Sequence, residues 1–382
     1  MLCIVLCIVP LQQIAIDIYL PSLPAMVGFF NVNKSLLQYS LSIYIFSLGI
    51  SQLLYGPLSD AFGRKKILIV GTSIFLIANI AAIFSHNMNV FLGLRLLAGI
   101  GMGCGFVTVG AIVSDSFHAN DMPKVTTLMA MVYSLPPILA PVLGGYLQHY
   151  IGWQSNFIFI AVYTVLLLLL VIFKLPETNT YKEKNHFSLV PVLKTYVRML
   201  SHFRFVSSIV CLTMAFALMI AFNVVGPFLL QNVLHVNVVN YGQLLLVIGA
   251  CYLVGTILNS FLLKFFKSSL ITCVGIVLMV LSSIILAIVG TTVFTVVLFT
   301  GIAILATGFV FPNTYADALC LFPEKIGSAS ALIGAMSLVG CTVVSIVVAQ
   351  IHVYSDRPLA FIYLTISVIT LVAFYFNQKS RR

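Results

Sequence analysis

The chain has 382 residues, of which 61% are hydrophobic and only 7% are charged, and its formal net charge is +10. Its mean hydropathy of +1.14 is far above that of soluble globular domains. These values exclude a soluble enzyme, a disordered protein and a nucleic-acid-binding protein. They indicate a protein embedded in a lipid bilayer.

The few charged residues divide the chain into long apolar runs, and a membrane-spanning helix needs about 20 such residues. Six runs supply one span each: 1–33, 35–59, 67–94, 96–114, 326–355 and 359–378. Three longer runs, 125–173, 205–263 and 268–316, are each long enough for two spans, joined at the polar segments 148–152, 231–240 and 290–292. The continuity of the runs favours helices over the short alternating segments of a β-barrel. The sequence therefore predicts an all-α membrane protein with twelve spans.

The basic residues predict the orientation of these spans. The loops after even-numbered predicted spans, together with the C-terminal tail, hold nearly all Lys and Arg residues. The exceptions are Lys34 and Arg357 in odd-numbered loops and Arg95 inside a span. The positive-inside rule therefore places the even-numbered loops and both termini in the cytoplasm.

The longest loop, residues 174–204, divides the chain into an N-terminal half (1–173) and a C-terminal half (205–382) of six spans each. Within this connector, apolar and basic residues recur at helical spacing: Val190, Leu193, Val197 and Leu200 with Lys194 and Arg198. This pattern predicts an amphipathic helix in the membrane interface, and a helix that binds a protein partner is the alternative. Tandem six-helix halves are typical of transporters, which hold their substrate near the middle of the bilayer.

The sequence contains no motif for a cofactor, a metal or ATP. Nothing matches the phosphate-binding pattern G-x-x-x-x-G-K-[ST], and the glycine-rich run 99–105 lies inside a predicted span, where small residues let helices approach closely. The eight cysteines lack the spacing of metal ligands and are expected to act as small apolar residues. Uphill transport would then have to use an ion gradient such as that of protons.

Two ionisable residues lie within predicted spans, Asp17 in the first and Arg95 in the fourth. Charges inside a bilayer are costly, so each is a candidate functional residue. Counting along the helices at about 1.5 Å per residue places both at a similar depth below the predicted outer surface. We expect Asp17 to bind and release a proton beside a permanently charged Arg95. A buried ion pair that only fixes helix packing is the alternative.

The segment between predicted spans two and three reads G-P-L-S-D-A-F-G-R-K-K over residues 56–66. Gly56 and Gly63 would permit a tight turn, and Asp60 and Arg64 are one helical turn apart. Here the sequence resembles the Major Facilitator Superfamily, whose signature is G-x-L-[AS]-D-x-x-G-R-[RK]-[RK]. Asp115 is similar in place to an acid that joins this loop in a charge cluster of that family. The resemblance implies a two-half transporter fold in which these five residues form a cytoplasmic gate that favours the outward-open state.

Three further segments sharpen the resemblance. Residues 95–99 look like the R-x-x-x-G signature of the fourth span, and residues 140–145 look like the G-P-x-x-G-G signature of drug:proton antiporters, with Ala140 in place of the first glycine. The resemblance thus implies an antiporter motif of Pro141, Gly144 and Gly145. Residues 16–24, together with Trp153, look like the bicyclomycin and chloramphenicol resistance (Bcr/CflA) branch. The general resemblance covers essentially the whole chain.

Polar and aromatic side chains within or at the ends of predicted spans are candidates for the wall of a substrate cavity. They are Gln13, Tyr19, Tyr44, Gln52, Asn223, Gln231 and Tyr315, and several of them are expected to serve helix packing alone. Asp317, near the inner end of the tenth predicted span, is a candidate second acid for proton transfer. Pairing with Lys325 or another basic residue at the gate is the alternative for Asp317.

The sequence thus predicts a monomeric, proton-coupled antiporter of the bacterial inner membrane that exports small, mostly apolar compounds such as drugs by alternating access. Its expected partners are the substrate, protons and lipid, and it needs no cofactor. An enzyme is not expected, because no nucleophile, base or metal set converges. The alternatives are a dedicated exporter or importer of one metabolite, such as an amino acid or siderophore, and a receptor or scaffold built on a transporter fold.

Overall fold

A computed structural model describes residues 1–117, 122–179, 189–351, 355 and 357–380. Residues 180–188 of the predicted connector lie outside this described part. All regular structure in the described residues is helical, and no strand occurs among them. The predicted all-α class is confirmed.

The first six spans follow one another over residues 2–174. They are span 1 (Leu2–Phe30), span 2 (Lys34–Phe62), span 3 (Arg64–Ile83), span 4 (Met88–Ser116), span 5 (Met122–Ser134 and Pro136–Tyr150) and span 6 (Gln154–Lys174). Leu135, which lies outside any helix, separates the two helices of span 5. Two consecutive prolines follow Leu135, and they lack the N–H groups that would continue the helical hydrogen bonds.

A connector helix, Leu189–Leu200, precedes the second six spans. They are span 7 (Phe203–Val233), span 8 (Val238–Leu262), span 9 (Ser268–Ile288), span 10 (Val293–Leu319), span 11 (Pro323–Ala349) and span 12 (Arg357–Lys379). Eleven helical stretches of the described chain are long and apolar enough to cross a membrane, and span 5 is the twelfth element. The three predicted hairpins between spans 5 and 6, 7 and 8, and 9 and 10 are confirmed.

The charge-free run 67–94 extends past the turn between spans 3 and 4. Span 3 ends at Ile83, and span 4 begins at Met88. Uncharged polar residues make this turn: the Asn87 side chain caps span 4 by accepting hydrogen bonds from the N–H groups of Asn89 and Val90. Charge-free runs alone therefore could not locate the turn.

The predicted spans 35–59 and 67–94 leave residues 60–66 for the turn between spans 2 and 3. In the structure this turn is shorter and consists of Gly63 alone. Gly63 has φ of +100°, a backbone conformation that residues with a side chain rarely adopt. Gly56, which was predicted to share in the turn, lies inside the span 2 helix against Val107 of span 4. Its role in the motif is therefore helix packing.

The chain forms two compact units, Met1–Leu193 and Lys194–Arg382. Within the first unit, span 4 packs along spans 2 and 3, and span 3 also packs on span 6. Within the second unit, span 10 packs along spans 8 and 9, and span 9 also packs on span 12. The same pairs recur six spans later, as expected for two halves of common design.

Small residues on span 4 permit its close packing in the first unit. A methyl group at Gly99 would overlap the backbone of Tyr44, and one at Gly103 would overlap the side chain of Ser51, both in span 2. A methyl group at Gly101 would overlap the backbone of span 3 at Phe75. The glycine-rich run is therefore a packing surface of a spanning helix, as predicted.

The connector helix presents different faces to its surroundings. Tyr196 and Met199 are buried, whereas Val197 is 68% exposed. Leu193 and Leu200 are exposed on the same face as Val197. Lys194 and Arg198 are exposed as well. An exposed apolar face flanked by basic residues is the arrangement that a helix in a membrane interface requires.

Candidate functional site

Span 1 is not a continuous α-helix. It consists of the helices Leu2–Ile8 and Leu11–Asp17, a 3₁₀ turn at Leu20–Ser22, and a last helix, Leu23–Phe30. Pro21 has no N–H to donate to the carbonyl of Asp17 four residues earlier, which favours an interruption at this point. We call residues 17–19 the span 1 break. The predicted proton-carrying acid therefore lies at the end of a short helix.

Asp17 is buried at the span 1 break, with only 1% of its surface exposed. Its Oδ2 accepts a hydrogen bond of 3.0 Å from Nε2 of Gln13, one helical turn earlier. Gln13 is buried too. The sequence placed both residues on one face of the helix, and the structure brings their side chains together.

Arg95 reaches the same break from span 4 and is also 1% exposed. Its Nη2 donates a 3.0 Å hydrogen bond to the carbonyl of Ala15, in the last turn before the break. A cation is stabilised at the C-terminal end of a helix, where the peptide dipoles present negative charge. The other two guanidinium nitrogens, Nε and Nη1, are buried without a hydrogen-bond partner in the described part of the chain. Arg95 thus retains donors that a rearranged break or a substrate could use.

The Arg95 guanidinium lies over the rings of two tyrosines. Its central carbon lies 4.2 Å from the ring centroid of Tyr44 and 4.8 Å from that of Tyr19, which is within the range of cation–π attraction. The Tyr44 hydroxyl donates to the carbonyl of Gln12 at 3.2 Å, and the Tyr19 hydroxyl lies 3.3 Å from Oγ of Ser40. The tyrosines therefore tie span 1 to span 2 around the arginine.

The antiporter motif contacts the span 1 break from span 5. A methyl group at Gly144 would collide with the carbonyl oxygen of Ile18, the central residue of the break. Pro141 and Gly145, in the same helix, are buried. Sequence reasoning singled out the acid and the glycine motif separately and did not predict that they meet. The partners of Arg95 and Gly144 are backbone carbonyls, which leave no signal in a sequence.

A second cluster surrounds Arg64 at the Gly63 turn. Arg64 pairs with Asp60 through Nη1 and with Asp115 through Nε at 3.2 Å, and its Nη1 also donates to Ser59. The three charged residues of the predicted gate are therefore in contact. Sequence reasoning missed a further participant, Glu177, whose carboxylate accepts a hydrogen bond from the Arg64 backbone N–H. The polar run directly after span 6 was the available signal.

The other predicted cavity residues lie further along span 2 or in the second unit. Gln52 is buried eight residues beyond Tyr44 on span 2, which is about 12 Å along a helix. Asn223, Gln231, Tyr315 and Asp317 belong to the second unit. Asn223 is buried in span 7, and Gln231 lies in a π-helical turn at the end of that span. The Tyr315 hydroxyl is 2.7 Å from Oγ of Ser330, while Asp317 is half-buried in span 10.

Long apolar helices in two units of six spans, with a buried acid at a helix break and a buried arginine bound beside that break, are typical of a multi-pass membrane transporter. The chain belongs to the Major Facilitator Superfamily, which matches residues 5–345. This is a family of transporters rather than of enzymes.

Individual relatives are similar over nearly their full length. A bicyclomycin resistance protein homolog of Haemophilus influenzae is 24% identical over 384 residues, covering 97% of this chain and 95% of the relative. The multidrug resistance protein MdtL of Escherichia coli is 27% identical over 380 residues, covering 98% of this chain and 94% of the relative. Among solved structures, a D-xylose–proton symporter superimposes with a TM-score of 0.76 at 16% identity, covering 98% of this chain and 96% of that one. The last comparison supports the fold alone.

Proposed function

We propose that this protein exports small, mostly apolar compounds, including drugs, from the bacterial cytoplasm in exchange for protons. It works by alternating access as a monomer in the inner membrane, with both termini in the cytoplasm and without a cofactor. The observation that carries the proposal is the buried carboxyl of Asp17, which lies at a helix break contacted by Arg95 and Gly144. A titratable group in a spanning segment is a natural proton carrier.

Arg95 makes proton affinity at Asp17 switchable. A nearby guanidinium favours the ionised carboxylate, whereas the apolar surroundings favour the protonated acid. Nε and Nη1 of Arg95 have no hydrogen-bond partner among the described residues, so a rearrangement of the break that brings the ionised carboxylate to them would provide it with donors. Protonation and the conformation of the break are then coupled, which is the requirement for exchange transport.

Two observations support an apolar substrate. A cavity of about 240 Å³ in the first unit is lined entirely by apolar residues, among them Ile14 and Ile18 of span 1 and Leu139 and Leu143 of span 5. Ile18 belongs to the span 1 break, so this cavity adjoins the proposed proton site. The relatives are named for resistance to bicyclomycin and to multiple drugs. Asp317 is proposed as a possible second acid, to be tested in parallel.

Proton release from everted vesicles tests the proposal. Addition of a transported drug to acidified vesicles should release protons from the lumen, and the panel should include bicyclomycin. Asp17→Asn should abolish this release while the protein still inserts and elutes as a single species. Glu324→Gln, which neutralises an exposed acid, is the matched control and should transport normally. Export driven by the pH gradient at the native rate in Asp17→Asn would refute the proton-carrier role.

Comparing a neutral with an anionic drug distinguishes two roles of Arg95: control of the protonation of Asp17, and binding of an anionic substrate. If Arg95 controls Asp17, Arg95→Ala should lose pH-driven export of neutral and anionic drugs alike. If Arg95 instead binds an anionic substrate, only the anionic drug should be affected. Arg95→Lys should keep part of the activity, because it retains a charge but not the planar group that stacks on the tyrosines.

A further inference from the structure

Three consecutive residues after span 6 each contact a different member of the Arg64 cluster. Glu177 accepts hydrogen bonds from the backbone N–H groups of Arg64 at 2.9 Å and of Lys65 at 3.3 Å. Thr178 Oγ1 donates to the Asp115 carboxylate at 3.5 Å, and Asn179 Nδ2 donates to the Asp60 carbonyl at 2.8 Å. We call residues 177–179 the strap. All four hydrogen bonds converge on one small region of the first unit.

The beginning of span 3 needs an external partner. The first N–H groups of a helix have no acceptor within it and are usually capped by the side chain of the residue just before it. That residue is Gly63, which has no side chain. Glu177 replaces the missing cap from a distant part of the chain, and its negative charge suits the positive end of the helix dipole.

Gly63 also leaves the space that Glu177 occupies. A methyl group at Gly63 would lie 2.5 Å from Glu177 Oε2, so a side chain there would displace the carboxylate. Lys65 adds a bond in the other direction, because its Nζ donates to the carbonyl of Ile172 in span 6 at 2.7 Å. The start of span 3 is thus joined by hydrogen bonds in both directions to the end of span 6 and the residues just after it.

We propose that Glu177 is a positioning residue of the gate. By capping span 3 it fixes the backbone from which the Arg64 side chain reaches Asp60 and Asp115, and it releases this backbone when the cluster opens. This inference rests on the predicted role of Arg64 in the cytoplasmic gate.

Hydrogen exchange and cysteine labelling of the full-length protein in lipid nanodiscs test the proposal together. In Glu177→Ala, the Arg64 and Lys65 amides should exchange at least threefold faster than in the wild type. A single cysteine placed at Gln52 in a cysteine-free background should also become labelled at least threefold faster by a water-soluble maleimide, as it should in Arg64→Ala. Glu177→Gln, which keeps an acceptor oxygen but not the charge, should be intermediate. Glu324→Gln should behave as the wild type in both measurements.

A double variant tests whether Glu177 affects the gate through Arg64. If Glu177 acts through Arg64, then Glu177→Ala combined with Arg64→Ala should label no faster than Arg64→Ala alone. Faster amide exchange with unchanged labelling in Glu177→Ala, while Arg64→Ala labels faster, would reduce Glu177 to a helix cap and overturn the inference. Unchanged labelling in Arg64→Ala would overturn the gate role and this inference together. Drug-driven proton release by the unmodified protein tests the exporter function separately from both.

Discussion

Replacing Gly144 with alanine tests whether the contact between span 5 and the span 1 break is essential. The added methyl group would overlap the carbonyl oxygen of Ile18, and a backbone atom cannot rotate away as a side chain can. Overpacking of this kind costs about 1–3 kcal/mol. Alanine regains up to about 1 kcal/mol over glycine within a helix. With that full gain subtracted, we expect a net loss of about 0–2 kcal/mol in the free energy of unfolding, or an equivalent shift of the break.

A shift of the Ile18 backbone should also disturb Asp17, which is adjacent to Ile18 in the break. If the transition state of transport restores half of a strain of about 2 kcal/mol that the resting protein relieves by shifting the break, drug-driven proton release should fall roughly fivefold, the rate equivalent of about 1 kcal/mol. Thermal unfolding in detergent and proton release from everted vesicles measure the two effects. Gly93→Ala is the matched control, because a methyl group at this exposed helical glycine meets no atom within 4 Å.

The comparison between the two glycine variants decides the outcome. Gly93→Ala should be as stable as the wild type or slightly more stable, with unchanged transport. If Gly144→Ala matched Gly93→Ala in both stability and proton release, the close contact with Ile18 would not exist in the working protein. The structural explanation of the antiporter motif would then be wrong.

Three other expectations follow from contacts outside the Arg64 cluster. Tyr44→Phe loses only the hydrogen bond to Gln12 and should cost about 0.5–1.5 kcal/mol in the free energy of unfolding. Tyr44→Leu also removes the ring beside Arg95 and should cost about 0.5–2 kcal/mol more. Equal unfolding temperatures for the two variants would argue against stacking of Arg95 on Tyr44. Asn259 and Asn313 donate side-chain hydrogen bonds to each other between spans 8 and 10. A double-mutant cycle of alanine variants should therefore give a coupling energy of about 0.6–1.7 kcal/mol. A coupling energy of zero would contradict these hydrogen bonds. A spin label at Val197 of the connector helix should be more accessible to lipid-dissolved oxygen than one at Lys194, and equal accessibility would exclude a helix lying in the interface.

The sequence by itself determined the membrane class, the helical fold and the division into twelve spans. These properties depend on the order of apolar and charged residues, because a bilayer demands about 20 apolar residues per helix and internally paired backbone groups. The sequence also identified Asp17 and Arg95, since charges are rare in such segments. Signature spacing identified Gly63, Arg64 and Gly144.

Only the tertiary structure decided how these residues meet. Arg95 donates to the backbone carbonyl of Ala15, and Gly144 lies against the backbone carbonyl of Ile18. Glu177 caps the helix that begins at Arg64. Each contact joins segments that are far apart along the chain and ends on a backbone group. Every residue carries the same backbone donor and acceptor groups, so a sequence pattern cannot show which of them will be used. The choice depends on how closely the helices pack, and therefore on the folded arrangement of whole spans.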